Sequence, residues 1–562
     1  MSNPTARPGR TEARVKPIRS EGQWALGYRE PLNATERLKR DDDGLRVKER
    51  VLDRYAGHGF ASIDPNDLRG RFRWYGLYTQ RRQGIPGGRT AALAPEELED
   101  EFFMLRVRIP GGRLTTAQLR TVGELSERYA RDTADITNRH NIQLHWVRIE
   151  DVPDIWARLE EVGLSTTEAC GDTPRNMLGC PVAGVAEDEV IDASAALASL
   201  APYVGDPTFS NLPRKYKTAV SGCAQHCTIH EINDVAFVGV VGPDGEAGFD
   251  LWVGGGLSTN PMFGQRVGVF VRAGQVAEVW VGVTSIFRDY GYRRSRAKAR
   301  LKFLMADWGP ERFREVLETE YLKEPLPDGV PIAPPTSPYR DHVGIHRQRD
   351  GRYYLGLAPT VGRMSGRLLQ EVSQLAERHG SRRAATTIEQ KLIVLDVPED
   401  EVEPLAAALD AIGLPCRPSG FRRQTMACSG LQFCKLAIVD TKDRAGVVID
   451  ELERRLPGWD LPITININGC PNSCARIQTG DVGLRGQIVT DEDGEQAEGF
   501  QVTLGGTLTG EVGFGRKVRG LRATGAGLPD YLERILRRYA EQRLPDDSFA
   551  SWARRVDESE LR

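Results

Sequence analysis

Four cysteines in the last quarter of the chain have types and spacing that suit metal chemistry. Cys428 and Cys434 lie in MACSGLQFCK, and Cys470 and Cys474 lie in NINGCPNSCAR. Four thiolates from two loops can hold either zinc or a [4Fe–4S] cluster. Zinc knuckles usually leave two residues between paired cysteines, whereas iron–sulfur loops vary more and often place proline after a ligand cysteine. We therefore predict a [4Fe–4S] cluster, with zinc or unligated buried thiols as alternatives.

A second set of cysteines belongs to an internal repeat with an offset of about 250 residues. SGCAQHC, ending at Cys227, matches NGCPNSC, and EAC at Cys170 matches MAC at Cys428. On this alignment Cys170, Cys223 and Cys227 correspond to three of the four cluster cysteines, and the fourth position falls near Arg175, where no thiol stands. We expect a decayed copy without a second complete four-thiol site. Two histidines in SGCAQHCTIHE, His226 and His230, leave a separate metal site open.

Five basic residues occupy strand ends or loops of the first half: Arg106, Arg139, Arg175, Lys215 and Lys217. Each could be an ordinary solvated surface charge. However, Lys215 and Lys217 alternate in LPRKYKTAVSG, so in an extended strand both would point to one face. Buried cations require anions, because an unpaired one costs several kcal/mol, on the order of 3–5. The pattern predicts a cavity that receives a small anion, a carboxylate-rich cofactor, or both.

The elements that must position these residues follow the same order twice. FMLRVRI and IQLHWVRI read as strands, each followed by an amphipathic helix, and YYLGLA and KLIVLDV repeat the order in the second half. A larger Gly-punctuated region with the cysteines follows each small unit. We predict an α+β fold made of a pseudo-two-fold duplicated module, in which each half is a small ferredoxin-like unit plus a larger mixed α/β cofactor-binding region.

Composition limits the class of protein. The chain has 562 residues with a formal net charge of -3 and 40% hydrophobic residues, as in a soluble globular protein. There is no apolar run that could cross a bilayer and no secretory h-region, and the nine cysteines are an odd number. The polar, Arg-rich start of the chain fits a disordered leader better than a transit peptide. We expect a cytoplasmic protein that binds neither membrane nor nucleic acid. It lacks the G-x-G-x-x-G and Walker motifs, so its electrons would come from another protein.

Together these stretches resemble a known family, the siroheme- and [4Fe–4S]-containing sulfite and nitrite reductases of the assimilatory, ferredoxin-dependent type. The resemblance runs from about residue 69 onward and rests on RGRFRWYGLYTQ, FMLRVRIPGG, TNRHNIQLHW, PRKYK and the two cysteine loops. It implies a siroheme cofactor and a cluster held by Cys428, Cys434, Cys470 and Cys474, with Cys474 bridging to the siroheme iron. It also implies ferredoxin as the electron donor.

The resemblance further implies roles for the basic residues. Arg139, Gln143 and His145 would contact the macrocycle. Arg106, Arg175, Lys215 and Lys217 would surround the open face of the iron, bind the oxyanion and relay protons. Tyr78 and Cys170 lie where some relatives place a tyrosine beside a cysteine, which suggests a thioether; the alternative is that Tyr78 only packs against the macrocycle.

Sulfite is the favoured substrate on this resemblance, because Lys217 stands where nitrite enzymes tend to have asparagine. The alternatives are a ferredoxin–nitrite reductase, the cobalamin-pathway hydroxylase of the same fold, and a non-catalytic tetrapyrrole- or zinc-binding protein. The basic segment FRDYGYRRSRAKARLK, residues 287–302, could dock an acidic ferredoxin or form a solvated helix face. We expect a monomer.

The resemblance also suggests how the chain divides. A segment with six prolines, EPLPDGVPIAPPTSPY, separates the two halves. The expected parts are an N-terminal extension and siroheme-proximal segment (1–95), a ferredoxin-like repeat (96–166), a siroheme- and substrate-binding half (167–323), the proline-rich linker (324–342), a second ferredoxin-like repeat (343–415) and a [4Fe–4S]- and siroheme-binding half (416–562).

Overall fold

The structure is a computed structural model that describes residues 22–562 except 31, 243, 336, 338, 492, 510, 511 and 522. In that part of the chain no helix combines the length and apolarity needed to cross a bilayer. The strands, in chain order, are β1 (Leu77–Arg81), β2 (Glu99–Val107), β3 (Arg113–Thr115), β4 (Ala134–Ile136), β5 (Ile142–Val147), β6 (Leu178–Gly179), β7 (Thr218–Ser221), β8 (Val235–Val241), β9 (Ala247–Val253), β10 (Gln265–Arg272), β11 (Gly344–Arg347), β12 (Tyr353–Leu357), β13 (Arg363–Met364), β14 (Arg383–Thr386), β15 (Leu392–Val397), β16 (Thr425–Ala427), β17 (Ile465–Asn468), β18 (Val482–Thr490), β19 (Gln496–Leu504), β20 (Arg516–Lys517) and β21 (Ala523–Thr524).

Helices cover the faces of the sheets these strands form. In chain order they are α1 (Ala34–Asp41), α2 (Val47–Arg50), α3 (Ala56–His58), α4 (Pro65–Arg69), α5 (Pro95–Leu98), α6 (Thr116–Tyr129), α7 (Val152–Glu161), α8 (Ser194–Ala198), α9 (Val276–Tyr290), α10 (Leu301–Val316), α11 (Gly366–Arg378), α12 (Val402–Ala411), α13 (Gly420–Gln424), α14 (Gly430–Phe433), α15 (Lys442–Arg455), α16 (Leu528–Gln542) and α17 (Phe549–Arg555). Short 3-10 and π turns join several of them.

Two small antiparallel sheets, one per half, exchange a strand. Their orders are β1-β2-β5-β4-β13 and β11-β12-β15-β14-β3, so β13 of the second half completes the first sheet and β3 of the first half completes the second. The helices α6 and α11 begin at matching caps: the Thr115 and Ser365 hydroxyls each accept a hydrogen bond from the main-chain N–H three residues further on. The exchange ties the two halves into one body.

Two larger mixed sheets repeat one topology. In β10-β9-β8-β7-β6, the strands β6, β7 and β8 are parallel and β9 and β10 antiparallel; in β16-β17-β18-β19-β20, the same pattern recurs, with β21 added beside β19. Separate apolar cores lie against each of these sheets and between the small sheets. The predicted α+β fold with a duplicated module is confirmed.

The strand register corrects one equivalence within the repeat. Cys180 directly follows β6 beside the pair Gly179–Val220, and Cys428 directly follows β16 beside the pair Ala427–Ile467. Cys223 and Cys470 each stand three residues beyond the paired residue of the next strand. Cys180 therefore corresponds to Cys428, and the prediction that Cys170 does was wrong. The sequence comparison aligned EAC at Cys170 with MAC at Cys428, because β6 has only two residues and gives no periodic signal that would have pointed to Cys180.

The proline-rich segment, residues 324–342, forms no helix or strand in its described residues. Its end is nevertheless fixed to the first half. Arg340 pairs with Glu231 at 3.1 Å, and Ser337 donates its main-chain N–H to Gln225. Arg340 is buried, so this end of the segment packs inside the molecule rather than crossing solvent as a free linker.

The basic segment at residues 287–302 is mostly internal, contrary to the docking and solvated-helix interpretations. Arg293 is fully buried and pairs with Glu36 at 3.0 Å, and Arg300 forms two hydrogen bonds to Asp234 at 2.8 and 2.9 Å from one nitrogen. Only part of the segment is helical, since α9 ends at Tyr290. These charges neutralise buried carboxylates, and this role cannot be read from the sequence because the acids lie far away in the chain.

Candidate redox site

The four predicted cluster cysteines meet at the carboxyl ends of two parallel strands. Cys428 follows β16, Cys434 ends α14, and Cys470 and Cys474 lie in the loop after β17. The main-chain N–H of Gly469 donates to Cys428 Sγ at 3.2 Å, which holds the two loops together. Cys470 is buried whereas Cys474 is exposed. The thiols are thus not equivalent: Cys474 faces outward from the group.

A cluster fits these thiols better than one metal ion. Among the described residues, only one group of three ligand atoms lies within 4.8 Å of one another, and it is elsewhere in the protein. The four sulfurs here are therefore spread more widely than the ligands of a single metal ion. Burial, together with the nearby Cys474, raises the pKa of Cys428 and of Cys470 to about 12. Iron ligation would supply the positive charge that buried thiolates need.

Arg106 links the first half to this thiol group. It lies on β2 opposite Gln143 on β5, and the Gln143 amide, with its oxygen turned towards the guanidinium, accepts from Arg106 Nε at 3.0 Å and Nη2 at 2.8 Å. The amide nitrogen of Gln143 then donates to Ser429 Oγ at 3.2 Å, one residue after Cys428. Gln143 therefore positions an arginine against the cysteine loop.

Lys215 and Lys217 flank a buried aromatic residue, as the alternation predicted. Tyr216 between them packs against Trp280 and Phe287 in the core, so the two lysines point to the other side. The main chain of Tyr216 also accepts a hydrogen bond from Arg175 N at 2.8 Å. Arg175 therefore lies beside this extended segment, and its charge acts on Lys215.

The five basic residues form a cationic group without carboxylate partners. In the described part of the chain, Arg106, Arg139, Arg175, Lys215 and Lys217 make no salt bridge. Burial, with neighbouring cations adding to it, lowers the pKa of Arg106 to about 10, of Arg139 to about 9 and of Lys215 to about 7. The nearby Cys474 side chain acts in the opposite direction on the pKa of Arg106 and of Lys215. An anion is therefore needed beside Cys474.

Arg139 and the neighbouring Asn138 connect both halves at this place. Arg139 donates to Asn233 Oδ1 at 3.1 Å and to the Asn176 carbonyl at 2.6 Å, and its buried Nε has no hydrogen-bond partner. Asn138 donates to the carbonyl of Cys474. An unsatisfied guanidinium N–H beside the cysteine loop suits an anionic group of a cofactor.

His145 is turned towards a buried acid. Its Nε2 lies 3.1 Å from Asp135 Oδ2, and its ring stacks on Phe433 with centroids 3.6 Å apart. Asp135 also pairs with Lys442 at 3.3 Å and Arg363 at 3.2 Å, and burial lowers the pKa of His145. Its buried Nδ1 has no partner, so one ring nitrogen stays free for a ligand, and the macrocycle contact stays a prediction.

Tyr78 and Cys170 lie in the same neighbourhood as Arg106. The Arg106 guanidinium is 5.4 Å from the Tyr78 ring centroid. At Gly76, where φ is +69°, a Cβ would lie 3.1 Å from both Arg106 Cβ and Ala169 Cβ. A larger residue there would separate the segment of Tyr78 from that of buried Cys170. The thioether between them stays a prediction.

The residue that braces this loop, Arg108, alternates with Arg106 in the sequence but was not among the predicted site residues. Buried Arg108 donates to the carbonyls of Thr167 at 3.3 Å, Glu168 at 3.4 Å and Pro174 at 3.3 Å. It thereby holds the segment that carries Cys170 and Arg175. An arginine two residues beyond Arg106 on an apolar strand was the available signal, but it could not distinguish an anion-binding arginine from one that binds carbonyl groups.

Comparison with known proteins agrees with this arrangement. The chain matches the family model "Nitrite and sulphite reductase 4Fe-4S domain" over residues 170–326 and 420–562, and "Nitrite/Sulfite reductase ferredoxin-like half domain" over residues 96–162 and 346–412. The solved structure of the Mycobacterium tuberculosis NirA protein superposes with a TM-score of 0.94 at 54% identity and covers 97% of this chain and 100% of that one.

Similar curated proteins carry two kinds of name. "Sulfite reductase [ferredoxin]" of Mycobacterium tuberculosis is 55% identical over 98% of this chain and 100% of its own length, and "Sulfite reductase [ferredoxin] 2" of Mycolicibacterium paratuberculosis shows the same values. "Assimilatory ferredoxin-dependent nitrite reductase" of Haloferax mediterranei is 34% identical over 92% of this chain and 90% of its own length.

Proposed function

Because the chain belongs to the nitrite and sulfite reductase family, we propose that it reduces sulfite to sulfide at a siroheme bridged to a [4Fe–4S] cluster, with electrons from reduced ferredoxin. The observation that carries this proposal is the group of five cations without carboxylate partners beside the exposed thiol of Cys474. Such a group requires an anion, and both a carboxylate-rich tetrapyrrole and a small oxyanion meet that need.

Each cofactor has candidate residues that fit it. Cys428, Cys434, Cys470 and Cys474 would hold the cluster, and Cys474 would be shared with the siroheme. Arg139, Gln143, His145, Tyr78 and Cys170 would hold the macrocycle, for which the unsatisfied Arg139 Nε and His145 Nδ1 are available. When bound, the two cofactors supply the single-electron chemistry of the six-electron reduction.

The remaining cations would serve the substrate. Arg106, Arg175, Lys215 and Lys217 would bind and orient the sulfite oxygens, in a place where burial strengthens each contact. Lys215, with a pKa of about 7, can give up a proton near neutral pH, so it suits the protonation of an oxygen that leaves as water. A dianion beside it would raise that pKa and keep the lysine charged until the proton is transferred.

Nitrite is the second candidate, since relatives with one third of their residues identical to this chain are named ferredoxin–nitrite reductases. Lys217 favours sulfite, because the second lysine adds a positive charge that suits a dianion. Sulfide and ammonia formation should be measured side by side with reduced ferredoxin and with methyl viologen. Sulfide formation from sulfite should predominate in kcat/KM. Ammonia formation from nitrite far exceeding it would assign the nitrite reaction instead.

We also propose the remaining features of the protein on this basis. It would act as a monomer in the cytoplasm, without nucleic acid, and receive electrons from ferredoxin. Its parts would divide at the boundaries given by the sequence, with the linker between residues 324 and 342. The ferredoxin surface would lie outside the 287–302 segment, because most of the cations there are paired internally.

A further inference from the structure

A second group of ligand side chains lies away from the four cluster cysteines. One sulfur each from Cys180 and Cys227 and one imidazole nitrogen of His342 lie within 4.8 Å of one another, the sole such trio among the described residues. Cys180 Sγ is 3.9 Å from His342 Nε2. Both cysteines are buried, and the three residues come from the loop after β6, the loop after β7 and the end of the proline-rich segment.

Cys223 adds a third thiol to this group. Its sulfur is not within 4.8 Å of all three of those ligand atoms, but it lies beside Cys227 in the same loop. It also accepts from the main-chain N–H of Cys227 at 3.5 Å and lies 3.5 Å from Ser221 Oγ. Three thiols and one imidazole thus meet in one buried place.

The origin of this group explains why three thiols converge there. By strand register, Cys180, Cys223 and Cys227 occupy the positions that Cys428, Cys470 and Cys474 occupy in the second half. The position equivalent to Cys434 falls near Ala186, which offers no ligand. His342, which has no part in the repeat, approaches from the segment between the halves. His226 and His230, the histidines singled out in the sequence, are not in the trio.

We propose that Cys180, Cys223, Cys227 and His342 bind one Zn²⁺ ion in a structural Cys₃His site. In a tetrahedral site, Zn–S bonds of about 2.3 Å and a Zn–N bond of about 2.0 Å place sulfur atoms roughly 3.8 Å apart and sulfur about 3.6 Å from nitrogen. The observed 3.9 Å and the limit of 4.8 Å bring Cys180, Cys227 and His342 close to these values, and Cys223 would move inwards to complete the set.

The chemistry of the donor set favours zinc over other occupants. Thiolate-rich tetrahedral sites select zinc among common divalent ions, and four protein ligands leave no open position for catalysis. On binding, each thiol releases its proton to solvent, so three thiolates and Zn²⁺ carry one net negative charge. The Ser221 hydroxyl and the Cys227 N–H lie close enough to Cys223 to stabilise that charge.

The ion would fix the inter-half segment to the loop that supports Arg139. Asn233, which accepts from Arg139, donates to the carbonyls of Thr228 at 3.3 Å and Ile229 at 2.9 Å, directly after Cys227. The Arg340–Glu231 pair fastens the same two segments nearby. Loss of the ion should therefore loosen the Arg139 side of the candidate redox site without touching the cluster cysteines.

Metal content and coordination of the holoenzyme test the proposal. Protein purified without a metal-affinity step should contain about one zinc per chain in addition to its iron, and the zinc absorption edge should show three sulfur neighbours at about 2.3 Å and one nitrogen at about 2.0 Å. Cys180→Ser should bring zinc below about a tenth of an equivalent. Cys416→Ser, at a buried thiol outside the group, should keep it.

A second variant is needed because Cys180→Ser could lose zinc by misfolding. His342→Cys should keep zinc and change its coordination to four sulfurs, whereas a group that merely packs in the core would show no such change. Zinc below about a tenth of an equivalent in the wild type, its retention in Cys180→Ser, or oxygen-dominated coordination would overturn the proposal. Because the readout is zinc, this outcome is separate from sulfite turnover.

Discussion

At the scale of single residues, charge balance decides which positions carry chemistry. Arg293, Arg300 and Lys302 are basic and buried, but acids or carbonyl groups satisfy them. Arg106 and Lys215 are half-buried and make no salt bridge with the described residues, and burial together with neighbouring cations lowers their pKa values. The sequence shows only that a residue is basic. Whether its partner is a buried acid or a missing ligand is visible only in three dimensions.

Cys474 should matter more than other thiols. Cys474→Ser should lose or uncouple both cofactors and reduce sulfite turnover by more than about 100-fold. Loss of a group that only hydrogen-bonds a metal ligand typically costs about 10–100-fold in activity, and loss of the ligand itself should cost at least as much. Absorption of the coupled chromophores and iron content are the measurements. Cys416→Ser is the matched control and should keep the spectrum. An unchanged spectrum in Cys474→Ser would contradict the shared-ligand assignment.

Glu168 gives a pH dependence of stability. Burial raises the pKa of its carboxyl from 4.5 to about 7, and its Oε1 has no hydrogen-bond partner. Because the pKa is raised in the folded state, the protonated carboxyl stabilises the folded protein fully below pH 4.5. This contribution is lost as the pH rises through 7. Glu168→Gln should therefore gain stability relative to the wild type, by about 3 kcal/mol, between pH 4.5 and 8.

The measurement is the thermal midpoint of both proteins across that pH range. Glu150→Gln, at an exposed position, serves as the control and should follow the wild type at every pH. A difference between Glu168→Gln and the wild type that does not change with pH would show that the carboxyl titrates normally in the folded protein.

At the scale of elements, the long helices and strands could be predicted from their periodic patterns, whereas the shortest strands could not. The strands and helices of both small units lie where FMLRVRI, IQLHWVRI and their repeats predicted, because their apolar residues form the core; β5 and β15 are buried on both faces. The strand β6 and the exchanged strands β3 and β13 have two or three residues, too few for a pattern. That is why Cys180 escaped attention and why the contact of His342 with it could not be predicted.

The helices α6 and α11 cross closely at two glycines. A Cβ on Gly123 would lie 2.6 Å from the carbonyl oxygen of Gly366, nearer than packed atoms allow. Gly123→Ala should therefore destabilise the protein by about 1–3 kcal/mol through overpacking. Gly446→Ala in α15, where a Cβ would meet nothing within 4 Å, should instead stabilise by about 0.5–1 kcal/mol. Denaturant midpoints of the two variants compare them directly; equal shifts would refute the close crossing.

At the scale of the whole molecule, duplication and exchange make one site from two halves. The first half supplies the cations, and the second half supplies the four cysteines, with Asn138 and Gln143 joining them. The family resemblance drawn from the sequence is confirmed by the family models and by relatives over nearly the whole chain. The cluster could be predicted from four cysteines in two short motifs, and siroheme from the family resemblance of the sequence.

Strand exchange predicts that neither half folds alone. Without β13 the first small sheet ends at β4, and without β3 the second ends at β14, so each fragment exposes an unpaired edge. Residues 22–342 and 343–562 should aggregate or stay poorly ordered when produced separately and form a soluble complex when produced together. Soluble yield and size-exclusion chromatography are the measurements. A stable, monodisperse 343–562 fragment would contradict this dependence.

The central claim is that the cations beside Cys474 bind a dianionic oxyanion, and Lys217→Asn tests it most directly. The measurement is kcat/KM for sulfite and for nitrite with the same reduced donor, on the wild type, Lys217→Asn and the exposed control Lys517→Asn. Loss of one charge should lower kcat/KM for sulfite by about 10–100-fold and for nitrite by less than about 3-fold, with the control unchanged. Equal losses for both substrates, or none, would contradict the account.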